Sequence, residues 1–220
     1  DCFRALRVGQ MVASVARCPG GKCQEQALIS EHAKVMVSMA AAFSPWMHSW
    51  ARGDQTTSAF DILMLGLGGG ALLSFLASKE SQLLEHIGKI TVVEIDQRVA
   101  TGAVQYMGLS SSVDIIIGDA FDLSAWHKGE RYDLIFVDTC TCTSVEALIV
   151  AELRARVLEG DGVIILNYLD YLPLKNAEWE EFGIEVTQAF RSVFSDGAVL
   201  QFPLRDWINM ILVGFSEEPP

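Results

Sequence analysis

The chain lacks any cluster of lysine and arginine. Its 28 acidic residues outweigh 16 basic ones, and the formal net charge is −12. Nucleic-acid binders hold phosphates with a basic face, so this composition argues against a nucleic-acid partner. An acidic surface suits a basic protein or a cationic small molecule, and it also aids solubility. Long hydrophobic runs are missing too. The longest, from Ile62 to Ala77, is too short and too rich in glycine to cross a membrane, so no membrane partner is expected. No charged-then-apolar leader is visible, so neither is a signal peptide, and a cytoplasmic address is expected. The chain begins at Asp1 without a methionine, as a piece of a longer protein would.

Cysteine is sparse. Cys2, Cys18, Cys23, Cys140 and Cys142 make five, and an odd count argues against a closed disulfide framework. Reduced thiols are the expectation. Cys18 and Cys23 flank a PGGK turn as a zinc pair might, but no second pair stands at finger spacing. His48 and His86 have no evident partners either, so no metal site is assigned. Internal repeats and low-complexity segments are absent.

What is present is apolar. Half of the residues are hydrophobic, enough for one sizeable core. Residues 3–18 alternate in places and end at PGGK, which reads as strands closed by a turn. This predicts a β-hairpin segment over 1–26 and a main domain over 27–220. QALISEHAKVMVSMAAAFSPWMHSW has helical spacing, with Pro45 expected to break or bend it. Phe43, Trp46 and Trp50 read as core positions on that helix.

A regular rhythm follows. Apolar runs at ILMLGL, ITVVEI, VDIIIGD, YDLIFVD and GVIILNYL are separated mostly by helical patterns such as ALLSFLASKESQLLEHI and SVEALIVAELRARVLEG. Short strands alternating with helices predict an α/β fold with a mostly parallel sheet covered on both faces. AVLQFPL and INMILVGFS lie too close for a helical crossover, so an antiparallel hairpin closes the chain.

Ligands of open α/β sheets bind at the carboxyl ends of the strands. After the first run come Gly66, Gly68, Gly69 and Gly70, which let the backbone turn tightly and approach a ligand. Gly66, Gly68 and Ala71 also satisfy the dinucleotide pattern. After the second run stands Glu94, followed by Ile95. A carboxylate there can accept both hydroxyls of a ribose, whether from NAD or from S-adenosylmethionine. Glu94 lies 28 residues after Gly66, more than the roughly 20 of a dinucleotide fold. The third run ends in Asp119 and Ala120, an acceptor and a neighbouring amide suited to an adenine edge. The fourth ends in Asp138, placed to meet the reacting end of the cofactor and the incoming substrate. Asn167 and Tyr168, after the fifth, are candidate substrate-lining residues. Trp126 and His127 fall near the adenine side, and His32 is a candidate to close over the cofactor. GLGGG, VVEID, GDAFD and IFVD in this order favour S-adenosylmethionine over a nicotinamide cofactor.

On LGLGGG (Leu65 to Gly70), VVEID (Val92 to Asp96) and EHAKVM (Glu31 to Met36), the chain resembles the spermidine synthase-like branch of the class I methyltransferases. Within that branch it looks most like the C-terminal domain of the methyltransferase-like protein 13 family. The resemblance implies a Rossmann-like, mostly parallel seven-stranded sheet preceded by a short N-terminal β segment. It implies S-adenosylmethionine as cofactor and methyl transfer to a protein amine, N-terminal or lysine, of a substrate such as a basic translation elongation factor. It also implies that Gly66, Gly68, Gly70, Glu94, Ile95, Asp119, Ala120 and Asp138 hold the cofactor, with Asp138 orienting the amine, and it allows a homodimer. The polyamine-forming relatives carry an aspartate where Gly69 stands, a second acid where Thr141 stands, and a Tyr-Gln pair at Ala33 and Lys34. An amine cation buried without such partners is costly, so aminopropyl transfer is disfavoured. A non-catalytic binding module is the remaining alternative, raised by Cys140 and Cys142 after Asp138.

Overall fold

The computed structural model describes residues 3–8, 11–18, 20, 28, 30–50, 59–78, 87–139, 146–169, 186–194, 199–204 and 209–215. Strands β1 (Phe3–Val8) and β2 (Met11–Arg17) pair antiparallel as a separate two-stranded sheet. Helix α1 (Glu31–Trp50) follows, then β3 (Phe60–Leu65), α2 (Ala71–Leu76), β4 (Ile87–Glu94), α3 (Gln97–Gly102) and β5 (Val113–Ile117). The second half contains α4 (Leu123–Trp126), β6 (Tyr132–Val137), α5 (Glu146–Glu152), β7 (Leu158–Leu169), β8 (Val199–Pro203) and β9 (Asn209–Phe215). Residues 186–193 are helical.

The seven-stranded sheet has the order β5-β4-β3-β6-β7-β9-β8. Strands β3 to β7 run parallel, whereas β9 pairs antiparallel with both β7 and β8. The expected closing hairpin is therefore present, and its second strand is the one that joins the sheet. From β3 the chain winds outward through β4 to β5, then returns to build β6 and β7 on the other side. That reversal opens a crevice between β3 and β6 at their carboxyl ends, where such sheets bind ligands. Register makes those ends level. Leu65 pairs with Val93 on one side and with Val137 on the other. Gly66, Glu94 and Asp138 each follow or end these strands, so they meet at one edge.

The inner parallel strands β3, β6 and β7 and the second half of β4 are buried on both faces, which is why they read as continuous apolar runs, whereas β5 at the sheet edge is only partly buried. Ala33, Met36, Val37 and Ala40 form the buried stripe of α1, spaced at 3.6-residue periodicity. This helix lies against β7 and β9. Phe43 meets Phe215 edge-on with ring centroids 4.7 Å apart, as its core reading requires. The side chains of Trp46 and Trp50 lie outside the described residues.

Three sequence expectations need correction. Of the break or bend expected at Pro45, the break does not occur: helix α1 runs through it, and packing of its apolar stripe on β7 and β9 outweighs the loss of one backbone hydrogen bond. The pattern SVEALIVAELRARVLEG leaves helix earlier than its periodicity suggests. After α5 a π-helical turn covers Leu153–Val157, and Leu158 already begins β7. Arg131 donates to the carbonyls of Ala155 and Leu158, each at 3.2 Å, satisfying groups that the ending helix leaves open. Cys18 is disulfide-bonded, contrary to the expectation of reduced thiols. An odd count forbids complete pairing but permits a single bridge. Cys18 is fully buried against Leu6 and Met107, and the other four cysteines lie outside the described residues. No helix of the described residues is long and apolar enough to cross a membrane.

Candidate active site

The floor of the crevice is the glycine loop after β3. Gly66 donates its N–H to Val93 O at 2.9 Å with φ of 89°. A Cβ there would run into the carbonyl oxygen of Asp138, so only glycine lets the two loops approach. Gly68 and Gly70 also have positive φ, 54° and 73°. A Cβ on Gly70 would sit 2.9 Å from Leu109 Cδ1.

Glu94 is only 7 % exposed, and both of its oxygens are engaged. Oε2 accepts the N–H of Leu67 at 3.0 Å, and Oε1 accepts the N–H of Asp96 at 2.9 Å. The carboxylate thus ties the glycine loop to the start of α3, while each oxygen keeps a second lone pair for a ligand hydroxyl. Asp96 caps α3 by accepting the N–H of Arg98 at 2.8 Å. The Arg98 guanidinium pairs with it at 2.6 Å and holds its carboxyl down at about 2.

Beyond Glu94 the crevice becomes apolar yet open. Ile95 is 69 % exposed and Ile117 is 48 % exposed, at the ends of adjacent strands. Large aliphatic side chains in water are informative where they flank polar groups aimed at one place. Asp119 accepts the N–H of Phe121 through Oδ1 at 2.9 Å, and Ala120 is buried beside it. Trp126 is buried with its indole Nε1 unpartnered, and the buried Nδ1 of His127 is unpartnered too.

On the other wall stands Asp138, fixed by its N–H to Leu65 O at 2.9 Å. Its Oδ1 accepts Asn167 Nδ2 at 2.7 Å. Asn167 Oδ1 in turn accepts Asn209 Nδ2 at 3.0 Å. Asp138 Oδ2 lies 3.6 Å from His32 Nε2, with the two side chains 25 % and 27 % exposed. Four elements, α1, β7, β9 and the end of β6, therefore converge on one carboxylate. Tyr168 is not among them. Successive side chains on a strand point to opposite faces, and the Tyr168 hydroxyl is 3.1 Å from Thr187 Oγ1 in the 186–193 helix. Lys34 is exposed and donates to Glu31 at 2.7 Å, so its charge is answered on the helix surface.

No protein-family model matches the chain. Over 172 residues it is 26% identical to an eEF1A lysine and N-terminal methyltransferase homolog of Drosophila melanogaster. That alignment covers 72% of this chain, which spans about a quarter, 24%, of the relative's length. A probable spermidine synthase from Corynebacterium glutamicum superposes with a TM-score of 0.70 at 18% identity, covering 97% of this chain and 72% of that one. The O-methyltransferase TomG from Streptomyces achromogenes, solved in complex with SAM, superposes with a TM-score of 0.58 at 15% identity, covering 87% and 82%.

The chain has the class I methyltransferase fold.

In that fold the expected residues divide into groups. Gly66, Gly68, Gly70, Glu94, Ile95, Asp119 and Ala120 lie along the carboxyl ends of β3, β4 and β5. Asp138 and Asn167 are hydrogen-bonded to each other across β6 and β7. Two further members of the crevice emerge only in three dimensions. His32 reaches Asp138 from α1, and Asn209 backs Asn167 from β9. Asn209 left a faint trace in the sequence: it is the one polar side chain in the buried strand NMILVGF. A buried amide needs a partner.

Proposed function

We propose that this chain is an S-adenosylmethionine-dependent methyltransferase that acts on an amine of a protein. The observation that carries this reading is the pairing of two different walls across one crevice. One wall combines Glu94, Asp119 and the exposed Ile95 and Ile117. The other presents Asp138, whose Oδ2 accepts no hydrogen bond from the described residues and stands beside His32.

The residues present fit the cofactor. The glycine loop offers a backbone surface without Cβ atoms, and the second lone pairs of Glu94 suit a ribose. Ile95 and Ile117 give apolar faces for a flat base, while Asp119 supplies an edge hydrogen bond. Gly66, Gly68, Gly70, Glu94, Ile95, Asp119, Ala120 and Asp138 would hold it. When bound, S-adenosylmethionine supplies a methyl group already activated by positive sulfur. The chain's own task is to orient a nucleophile within about 3 Å of that carbon and to keep water out. Asp138, held through Oδ1 by Asn167, would receive an ammonium or amine N–H on Oδ2.

The protein-amine substrate is supported by the Drosophila relative's name and by the acidic surface, with a net charge of −12. A basic translation elongation factor is the specific candidate, as in the methyltransferase-like protein 13 family. Residues 27–220 would form the catalytic unit, with 1–26 an appended hairpin.

Isothermal titration with S-adenosylmethionine and with NADH tests the cofactor. Binding of the first and not the second is expected, and Glu94→Ala and Asp119→Ala should each weaken it. No heat with S-adenosylmethionine would sink the reading. Transfer of labelled methyl to elongation factor 1-alpha then tests the substrate. Cofactor binding without transfer to any protein of a cell lysate would favour a non-catalytic module.

A further inference from the structure

We propose that His32 is the proton acceptor for an ammonium nucleophile and that Asp138 is its ion-pair partner. This rests on the methyl-transfer reading above. The separation of 3.6 Å between His32 Nε2 and Asp138 Oδ2 exceeds a good N–H···O hydrogen bond, so the two groups do not satisfy each other. Both remain about a quarter exposed at the crevice. Asp138 Oδ1 is already taken by Asn167, and the Asn209 amide fixes which way Asn167 faces. The site therefore presents two acceptors, one carboxylate oxygen and one imidazole nitrogen, side by side.

An ammonium arriving there can donate one N–H to Asp138 Oδ2 and another to His32 Nε2. A protonated amine has no lone pair and cannot attack. Ordinary carboxylates titrate near ~4 and ordinary imidazoles near ~6.5, against about 8 to 10 for amines, so an imidazole is the far better matched acceptor. The proton passes from nitrogen to Nε2, and the imidazolium pairs with Asp138 Oδ2. The freed lone pair then forms the N–C bond to the methyl carbon, and the S–C bond breaks with its electron pair left on a neutral sulfur. The product leaves as a methylated ammonium, and His32 returns its proton to solvent through its exposed edge.

Among the described residues, the elements packed around this pair bring few other charges. On α1, Glu31 and Lys34 neutralise each other at 2.7 Å. β7 and β9 present the neutral amides Asn167 and Asn209, and α2 (ALLSFL) carries no titratable side chain. Among the described residues Asp138 is the titratable group that faces His32.

The test uses His32→Gln in the full chain, with elongation factor 1-alpha as the probe, before and after acetylation of its amines. Cofactor affinity by titration calorimetry should be unchanged. Turnover at pH 7 should fall about a hundredfold. The wild type should be flat between neutral pH and the titration of the amine, whereas the variant should gain about tenfold per pH unit as free amine accumulates. A structural defect would not produce that slope. A second readout needs no turnover. With S-adenosylhomocysteine present, the unacetylated probe should bind the wild type, and either acetylation or His32→Gln should weaken binding at least tenfold. Parallel pH profiles for variant and wild type would overturn the role of His32 and leave the methyltransferase reading intact. Failure of the wild type to bind cofactor, or cofactor binding without transfer to the unacetylated probe, would remove the underlying function and the role of His32 with it.

Discussion

Asn167 donates from Nδ2 to Asp138 Oδ1 at 2.7 Å while its own carbonyl accepts from Asn209 at 3.0 Å. An amide can flip, and this one is prevented from doing so by its buried neighbour Asn209. Asn209→Leu should therefore act at a distance. The Asn167 carbonyl would lose its donor in a buried setting, which costs about 1–3 kcal/mol. Urea denaturation should show that loss, and methyl transfer should drop while cofactor affinity stays the same. Unaltered turnover in a folded variant would show that the orientation of Asn167 is immaterial.

Gly66 and Gly129 offer a controlled comparison. Both have positive φ, 89° and 100°, but a Cβ on Gly129 meets nothing within 4 Å. Gly129→Ala should cost only the left-handed strain of about 1–2 kcal/mol. Gly66→Ala adds a collision with the Asp138 backbone, so it should lose more stability and also weaken cofactor binding. Equal losses in chemical denaturation would mean that the close approach of the two loops is not required.

Acid should loosen the start of α3. The Asp96 carboxyl, held at about 2 by its hydrogen bonds with Arg98 against an ordinary value of 3.8, has its folded pKa lowered. Its contribution is fully present above the ordinary value and is lost as pH falls from roughly 4 to 2. The pair is exposed, so salt at about 1 M should blunt the effect. Asp96→Asn keeps a capping side chain but removes the charge, and its urea midpoint should vary less over that window. An identical pH dependence would exclude the Asp96–Arg98 pair as its source.

The Cys18 disulfide predicts a redox-sensitive stability. Protein prepared without reductant should show fewer than five reactive thiols once denatured. Reduction should lower stability by about 2–4 kcal/mol, and Cys18→Ser should reproduce that loss and abolish the response to reductant. Five reactive thiols under those conditions would contradict the bridge.

Strand ends are legible because the stretches of parallel strand that are buried on both faces are apolar, so the first charged residue after each apolar run marks its carboxyl end. Glu94, Asp119 and Asp138 were found that way. Helix ends were less legible. Periodicity alone does not show that Arg131, just before β6, would satisfy the carbonyls of Ala155 and Leu158. Tyr168 and Asn167 are adjacent in sequence and looked equivalent as site candidates, but the pleat sends them to opposite faces. Only the neighbour on each face, Asp138 or Thr187, tells which one enters the crevice.

The sequence by itself determined the order of strands and helices, the glycine loop, and the acids that punctuate the sheet. These are local consequences of backbone sterics and burial, written in consecutive residues. Tertiary structure alone decided which groups share a site. His32 and Asn209 lie far from Asp138 along the chain, and one belongs to a helix that precedes the sheet while the other opens its last strand. Their meeting depends on α1 lying across β7 and β9 and on β9 entering antiparallel beside β7. Hydrogen bonds reach only about 3 Å, so such a cluster exists only once packing has set those elements in place.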